Sequence, residues 1–329
     1  MLINERKNMK NKSLLLILLA SVACTQEPLP EGTGRLTVDL DGIAATKAIT
    51  GATAAEMQVK TLNLYVFDAN GMLDLSHACT EAEIGAKKAV MNVKTGSKTV
   101  YALANFRGNL LSAANGKATR TELEQVPIGL GDNSTTEGLL MTASGNVTVA
   151  SGSGGQAALT LSRPVARVAL GSVTNKLPAP YGTVRVLRAF LCNVAAHVIG
   201  TSGHAAQVPA LTYADLNEDV TQKEQHPFSN RFFYAFPNAR TNPNNGHTSP
   251  FSPTATVLMV VVQIRNVPYY YPVVLEKKLE SNKDYKVDLT LIGLGNTEDD
   301  PFKKIEKADL TATVSVSDWT TGATYTESI

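Results

Sequence analysis

Short stretches in which apolar and polar residues alternate recur along almost the whole chain of 329 residues. A period of two residues is that of a β-strand with one buried face, whereas an amphipathic helix repeats about every 3.6 residues. Turn clusters rich in glycine, asparagine and proline separate the stretches. The predicted strands are 36–40, 61–67, 89–93, 100–106, 147–150, 157–170, 184–194, 231–236, 256–264, 269–275, 285–291 and 310–316.

A helical pattern is confined to two short pieces, at 109–114 and from Thr121 onward, where Glu124 is placed for a capping box. Many strands without regular alternation with long helices favour β-sandwiches over a parallel α/β sheet. Proline cannot donate to a sheet, so two strands are expected to meet at Arg163-Pro164. We therefore expect an all-β protein with two tandem β-sandwich domains, at 48–163 and 164–329.

The N-terminus has the order of a bacterial signal peptide. Lys10 and Lys12 precede the apolar run 14–20, and the small residues 21–23 lead into Cys24. The run is too short for the roughly 20 apolar residues of a membrane-spanning helix. Residues 1–23 are therefore predicted to be a lipoprotein signal peptide, with Cys24 carrying lipid such as palmitate; an ordinary secretory signal with an incidental cysteine is the alternative.

Composition narrows the range of partners and cross-links. A net charge of +1 with 18% charged residues gives no basic surface for nucleic acid. Cys79 and Cys192 lie in different halves of the chain and form no CxxC pair. An exported location permits a disulfide between them, and two buried free thiols are the alternative.

The sequence offers no catalytic residues, no metal site and no cofactor motif. The histidines are scattered, and none lies in HExxH spacing or beside a cysteine pair; they are His77, His197, His204, His226 and His247. No GxSxG segment is present. The glycine-rich 152–155 precedes another strand rather than a helix, so we interpret it as a hairpin loop. An enzyme is not expected.

Nine segments resemble, in order and spacing, the fimbrillin (type V pilin) family of Bacteroidales. They are GRLTVDL at 34–40, ATKA at 45–48, LNLYVFDANG at 62–71, VYALAN at 100–105, LSRPVARV at 161–168, YYPV at 270–273, LESNKDYKV at 279–287, LIGLG at 291–295 and VSVSDW at 314–319. The resemblance implies two Greek-key, transthyretin-like sandwiches in a lipoprotein precursor at the outer membrane. It also implies cleavage by a trypsin-like protease after the first strand, and polymerisation by donor-strand exchange into surface fimbriae for adhesion and biofilm formation.

The resemblance assigns roles to particular residues. The first strand, with Leu36, Val38 and Leu40, would be removed within a propeptide 24–47. The processed bond would be Lys47–Ala48; relatives are commonly cut after arginine, and Arg35 is the competing site. The candidates for the donor strand are Val314, Val316, Trp319, Ala323, Tyr325 and Ile329.

Partners follow from the same resemblance: other copies of the chain or other fimbrial subunits, the maturation protease, and the outer membrane through the lipid before cleavage. A merely frayed C-terminal tail is the alternative to a donor strand. A surface lipoprotein that binds glycans or host proteins without polymerising is the alternative function, as is a fimbrial anchor or tip subunit.

Overall fold

The structure is a computed structural model, and it describes most of the chain downstream of residue 31. The described residues are 32–40, 54–107, 110–113, 119–129, 138–195, 197–199, 203–204, 207–229, 231–238, 255–275, 279–297, 309–318 and 324–328. Within these residues, strands predominate and the helices are short. The predicted all-β class is confirmed.

Two packed sheets form the first sandwich. Its strands are β1 (Thr33–Asp39), β2 (Leu62–Phe67), β3 (Leu73–Ala78), β4 (Lys88–Lys94), β5 (Gly96–Ala104), β7 (Met141–Val149) and β8 (Gly155–Ala158), and the short β6 (Pro127–Gly129) lies outside both sheets. The sheet orders are β4-β1-β8 and β3-β2-β5-β7. Apolar residues of both sheets share one core, because the inward positions alternate along each strand.

The α-helices lie in the connections of this first part of the chain, whereas a 3-10 helix, Ala179–Tyr181, lies later in the chain. The α-helices are α1 (Ala54–Met57), α2 (Glu81–Ala86), α3 (Leu110–Ala113) and α4 (Arg120–Glu124). The helix predicted from Thr121 is present as α4, but its capping box uses Thr119 and Glu122 rather than Thr121 and Glu124. The cap lies one residue before the helix, so the prediction started the helix too late.

The second sandwich contains the later strands. They are β9 (Ala166–Asn175), β10 (Val184–Ala195), β13 (Gln207–Val220), β14 (Gln225–Pro227), β15 (Phe232–Ala235), β16 (Val257–Ile264), β17 (Val267–Val274), β18 (Lys283–Leu291), β19 (Leu310–Asp318) and β20 (Thr324–Ser328). One sheet has the order β13-β10-β16-β17; the other is β14-β9-β18-β19-β20, with β15 also on β9. A small third sheet joins β6 to β11 (His197–Ile199) and β12 (Gly203–His204).

The chain crosses from one sandwich to the other between β8 and β9. The predicted strand 157–170 is therefore two strands in different sheets, with Arg163 and Pro164 in the connection. Leu159 and Leu161 pack in the core of the first sandwich. The domain limits 48–163 and 164–329 remain predictions. No helix among the described residues has the length and apolar character needed to cross a membrane.

Candidate functional site

The first strand, β1, is the middle strand of its sheet. It pairs antiparallel with β4 along seven residue pairs. On its other side it pairs parallel with β8 along four, from Leu36 opposite Gly155 to Asp39 opposite Ala158. Both backbone edges of β1 therefore take part in sheet hydrogen bonding, as expected for an interior strand.

The side chains of β1 alternate between core and surface. Leu36, Val38 and Leu40 are 0% exposed and belong to the core of the first sandwich. Thr37 and Asp39, which lie between them, are only half-buried. The predicted buried face of this strand is confirmed, while its removal remains a prediction.

Loss of β1 would open an apolar groove between β4 and β8. Full burial of a leucine or valine side chain contributes roughly 1.5–3 kcal/mol, and three such side chains would leave together. The facing edges of β4 and β8 would also lose their backbone partners, which is costly for buried groups. A vacated groove therefore favours another strand with the same alternation.

The C-terminal end of β1 is held by the connection between the two sheets. The backbone N–H of Leu40 donates to the carbonyl of Lys87, 2.9 Å away, at the end of α2. Arg35 lies within β1 opposite Asn92, so it is part of a paired strand. The predicted processing bond Lys47–Ala48 and the predicted lipidation site Cys24 lie outside the described residues.

A buried ionic cluster begins where the described chain resumes after residue 53. Glu56, on α1, is 0% exposed, and Arg167 on β9 is 2% exposed. Arg167 donates to Glu56 Oε2 at 3.1 Å and to Asp284 Oδ2, on β18, at 2.6 Å. Arg163 donates to the backbone carbonyl of Glu56, and the Tyr234 hydroxyl donates to Glu56 Oε1. The cluster thus joins α1 to the connection between β8 and β9, to β9 itself and to β15, and through Arg167 it also reaches β18.

The environment fixes the charge state within this cluster. Burial lowers the pKa of Arg163, although the charge of Glu56 opposes this effect. Burial also acts to lower the pKa of Arg167, but its hydrogen bonds and ion pairs with Asp284 and Glu56 outweigh burial and raise it. Burial and the hydrogen bond to Glu56 raise the pKa of Tyr234, so its hydroxyl remains a donor.

The predicted donor residues lie partly on two C-terminal strands and partly outside the described residues. β19 lies between β18 and β20. Val314 is buried in the core of the second sandwich, and Val316 packs against that core. Tyr325 lies on β20 opposite Val316, and among the described strands β20 pairs with β19 alone. Trp319, Ala323 and Ile329 lie outside the described residues.

His77, Cys79 and Glu83 come together at the edge of the first sandwich. His77 is on β3, Cys79 follows that strand, and Glu83 is on α2. Their nitrogen, sulfur and oxygen atoms all lie within 4.8 Å of one another. His77 Nε2 is 3.0 Å from Glu83 Oε1, and the side chains are 27% and 23% exposed. This arrangement has the donor types of a transition-metal site.

Thr80 holds Glu83 in position. The backbone N–H and the hydroxyl of Thr80 donate to Glu83 Oε2, and the N–H of Glu83 donates back to the hydroxyl. This is a capping box at the start of α2. The backbone hydrogen bond from Thr80 is the main cause that lowers the pKa of Glu83. Burial raises the pKa of Cys79 to about 12, and the charge of Glu83 adds to that effect.

Among the described side chains, His226 and Cys192 belong to no comparable group. His226 Nε2 lies 2.7 Å from Glu218 Oε2, without a nearby sulfur in the described chain. Cys192 and Cys79 are both free thiols, as the second alternative expected, but only Cys192 is buried, whereas Cys79 is half-buried. The backbones of His197 and His204 lie on β11 and β12, and His247 lies outside the described residues.

Sequence reasoning did not identify two features: the cluster of His77, Cys79 and Glu83, and the burial of Glu56. The motif Thr80-x-x-Glu83 signals a capping box, and the spacing His77-x-Cys79 places two metal-binding side chains on one face of an extended segment. Together these signals could have revealed the cluster. The burial of Glu56 had no such signal, since its partner Arg167 lies 111 residues away in sequence.

Comparisons with known proteins agree with this architecture. Residues 34–168 match the family model of the major fimbrial subunit protein, FimA. The fold resembles a fimbrilin from Porphyromonas gingivalis, with TM-score 0.58 and 15% identity over 87% of this chain and 97% of the other. A candidate cell adhesion protein from Bacteroides eggerthii gives TM-score 0.62 and 21% identity over 89% of this chain and 98% of the other.

A third solved structure, the tip fimbrial protein of P. gingivalis with a C-terminal truncation, gives TM-score 0.53 and 15% identity. The match spans 87% of this chain and 100% of that protein. At these identities the likeness of the structures establishes the fold alone. No curated protein sequence matches the chain.

Proposed function

We propose that this chain, whose resemblance to the fimbrillin family is confirmed by the family match over residues 34–168, is a structural subunit of surface fimbriae. It would polymerise by donor-strand exchange and support adhesion and biofilm formation. The neighbours that are themselves fimbrial proteins support assembly with copies of this chain or with other fimbrial subunits.

The observation that carries the proposal is the position of β1. It is the first described strand, yet it lies between β4 and β8 and fills the core with Leu36, Val38 and Leu40. A terminal strand in an interior position can be exchanged without rearranging the connections of the other strands. Strand addition at such a groove gives affinity through backbone hydrogen bonds and register through alternate side chains.

Proteolysis at Lys47–Ala48 would turn β1 into a separable peptide. The bond follows β1 in sequence, so cleavage leaves the strand bound only by its non-covalent contacts. A cut after Arg35 would instead leave Leu36, Val38 and Leu40 on the subunit, and Arg35 is already paired within the sheet. Release of residues 24–47 would also detach the subunit from the lipid on Cys24 and from the outer membrane.

The C-terminal strands are the proposed source of the donor. β20 can leave its sheet by breaking its pairing with β19 alone among the described strands. Release of β19 would remove Leu310, Ala312 and Val314 from the core of the second sandwich. We therefore propose that the donor is the end of the chain, where Ala323, Tyr325 and Ile329 are separated by even numbers of residues in the sequence, which is the spacing of one face of a strand.

The processing step is tested with two substitutions of one residue. Lys47→Ala removes the trypsin-like site, and Lys47→Arg preserves it as a matched control. We expect Lys47→Ala to give a full-length lipoprotein without fibres on the cell surface, whereas Lys47→Arg assembles normally. Electron microscopy and immunoblots of surface fractions measure both. Normal fibres from Lys47→Ala would contradict the assignment of Lys47.

N-terminal sequencing of surface protein distinguishes this function from its main alternative. A mature N-terminus at Ala48 is the expected result. A blocked, lipidated Cys24 in all surface protein would contradict polymerisation by loss of β1. It would instead indicate a permanent lipoprotein, either a fimbrial anchor or a binding protein for glycans or host proteins.

A further inference from the structure

We propose that His77, Cys79 and Glu83 bind a divalent transition-metal ion of the zinc class. The three side chains offer one imidazole nitrogen, one sulfur and one carboxylate oxygen, with these atoms within 4.8 Å of one another. Zinc binds this combination in tetrahedral sites, often with three protein ligands and an exchangeable fourth position. Calcium and magnesium prefer oxygen ligands alone, so the nitrogen and sulfur select against them.

The carboxylate is prearranged for the ion by the capping box. Thr80 engages Glu83 Oε2 through its N–H at 2.8 Å and its hydroxyl at 3.0 Å. His77 Nε2 lies 3.0 Å from the other oxygen, Oε1, and 3.1 Å from Oε2, and Thr80 leaves Oε1 unengaged. Outer hydrogen bonds of this kind orient metal ligands and are a regular part of metal sites. The capping box therefore fixes one ligand without consuming the oxygen that the ion would use.

The access of solvent to the cluster and the release of the Cys79 proton are also compatible with metal binding. His77 and Glu83 keep 27% and 23% of their side chains exposed, so water can reach the ion and fill its fourth position. The ion would replace the contact between His77 and Glu83, and would bind neutral His77, ionised Glu83 and the thiolate of Cys79. The thiol proton is released to solvent on binding, so affinity rises with pH.

The bound ion would fasten the connection between the two sheets of the first sandwich. His77 belongs to β3 in one sheet, whereas α2 leads directly into β4 in the other. Lys87, at the end of α2, accepts the hydrogen bond from Leu40 at the end of β1. A ligand that binds only the folded state raises the free energy of unfolding, so the ion would stabilise this connection.

Cobalt(II) provides the spectroscopic test, since a thiolate ligand gives a sulfur-to-metal charge-transfer band. The full-length chain without a histidine tag is titrated with Co²⁺ and then with Zn²⁺. We expect one equivalent of Co²⁺ to produce the band and Zn²⁺ to abolish it. Cys79→Ser should remove the band, whereas Cys192→Ser should retain it. A band that persists in Cys79→Ser would overturn the proposal.

Two further variants test the other ligands. Glu83→Gln keeps a capping box, because glutamine also accepts the backbone hydrogen bond, but it removes the anionic ligand. We expect Glu83→Gln and His77→Ala to weaken Zn²⁺ binding by at least the ~10–100-fold that loss of an outer partner costs. His226→Ala, which removes a histidine paired with Glu218 at 2.7 Å, is the matched control and should leave binding unchanged. Equal Zn²⁺ affinity in all three variants would refute the site.

Protection of the unmodified chain gives a readout that does not depend on the folding of any variant. Alkylation of each cysteine is followed by peptide mass spectrometry with and without Zn²⁺. We expect Zn²⁺ to slow alkylation of Cys79 at least ~10-fold, because a metal-bound thiolate is not available to the reagent. The rate at Cys192 should not change. Equal rates at Cys79 with and without Zn²⁺ would overturn the proposal.

Discussion

β1 and β9 occupy equivalent positions in the two sandwiches, but they are buried in different ways. Each is the first strand of its sandwich, and each has antiparallel partners on one side and a parallel partner on the other. β1 alternates between buried and half-buried residues, whereas all residues of β9 from Ala166 to Val173 are buried. One strand is covered on one face, and the other on both.

The difference bears on the strand exchange that we propose for β1. β1 contributes apolar side chains at every second position, which any strand of the same pattern can supply. β9 also contributes Arg167, whose guanidinium is paired with Glu56 and Asp284. A replacement for β9 would need an arginine in the same register, whereas a replacement for β1 needs only alternation. In the proposed assembly, β1 of the first sandwich can therefore be replaced by another strand, whereas β9 of the second sandwich is retained.

The largest effect is expected from Arg167→Met, which retains bulk but removes the charge from β9. Glu56 and Asp284 would then lose their shared partner in a buried site. Breaking a buried ion pair from one side costs about 3–5 kcal/mol, and we expect a loss of that order in the free energy of unfolding measured with urea. Arg185→Met, at the exposed pair with Asp219, is the control and should change little. Equal stability of the two variants would remove the contrast between β1 and β9.

A smaller loss is expected when one apolar side chain of β1 is shortened. Leu36→Ala leaves a cavity in the core of the first sandwich and should cost about 2–5 kcal/mol in a chain that retains β1. Thr37→Ala, on the half-buried face, should cost less than about 1 kcal/mol. Urea unfolding measures both. Similar costs at the two positions would show that alternation does not determine how β1 is held.

Two glycines test how closely each strand approaches its neighbours. A Cβ at Gly34, at the start of β1, would lie 2.7 Å from the backbone carbonyl oxygen of Ala150, which cannot easily move. At Gly171, in β9, the closest atoms belong to the side chains of Lys286 and Asp288, which can rotate away. We expect Gly34→Ala to lower the free energy of unfolding by about 1–3 kcal/mol, and more than Gly171→Ala. A larger loss for Gly171→Ala than for Gly34→Ala would contradict the closer approach of neighbouring backbone to β1.

The smallest effect concerns the pH dependence of the connection that holds the end of β1. The pKa of Glu83 is lowered in the folded chain, chiefly by the backbone N–H of Thr80. Its stabilising contribution is therefore present above the unfolded-state pKa, near 4.5, and is lost as the pH falls through the lowered folded-state pKa. In metal-free protein, Glu83→Gln should flatten this part of the stability profile, measured by thermal unfolding between pH 6 and 3. An unchanged profile would contradict a contribution of Glu83 ionisation to stability.

The sequence predicted features that depend on local patterns. The alternation of Leu36, Val38 and Leu40 predicted a strand with one buried face, because side-chain direction follows from backbone geometry alone. It could not predict that β1 pairs parallel with β8, since Asp39 and Gln156 are 117 positions apart in sequence. The burial of Arg167 was not predictable for the same reason. Val165 and Ala169 lie two residues from Arg167 in sequence, but its charge partners Glu56 and Asp284 lie 111 and 117 residues away.

The parallel pairing of β1 with β8 gives any assembled fibre a direction. A substitute strand can satisfy β4 as an antiparallel neighbour and β8 as a parallel one in only one orientation. In the proposed assembly, each subunit accepts a strand at one end and gives a strand from the other, so subunits join head to tail. Such heterologous contacts do not close into a symmetric pair. The two ends of the filament would therefore be chemically different, one with an empty groove and the other with an unused strand.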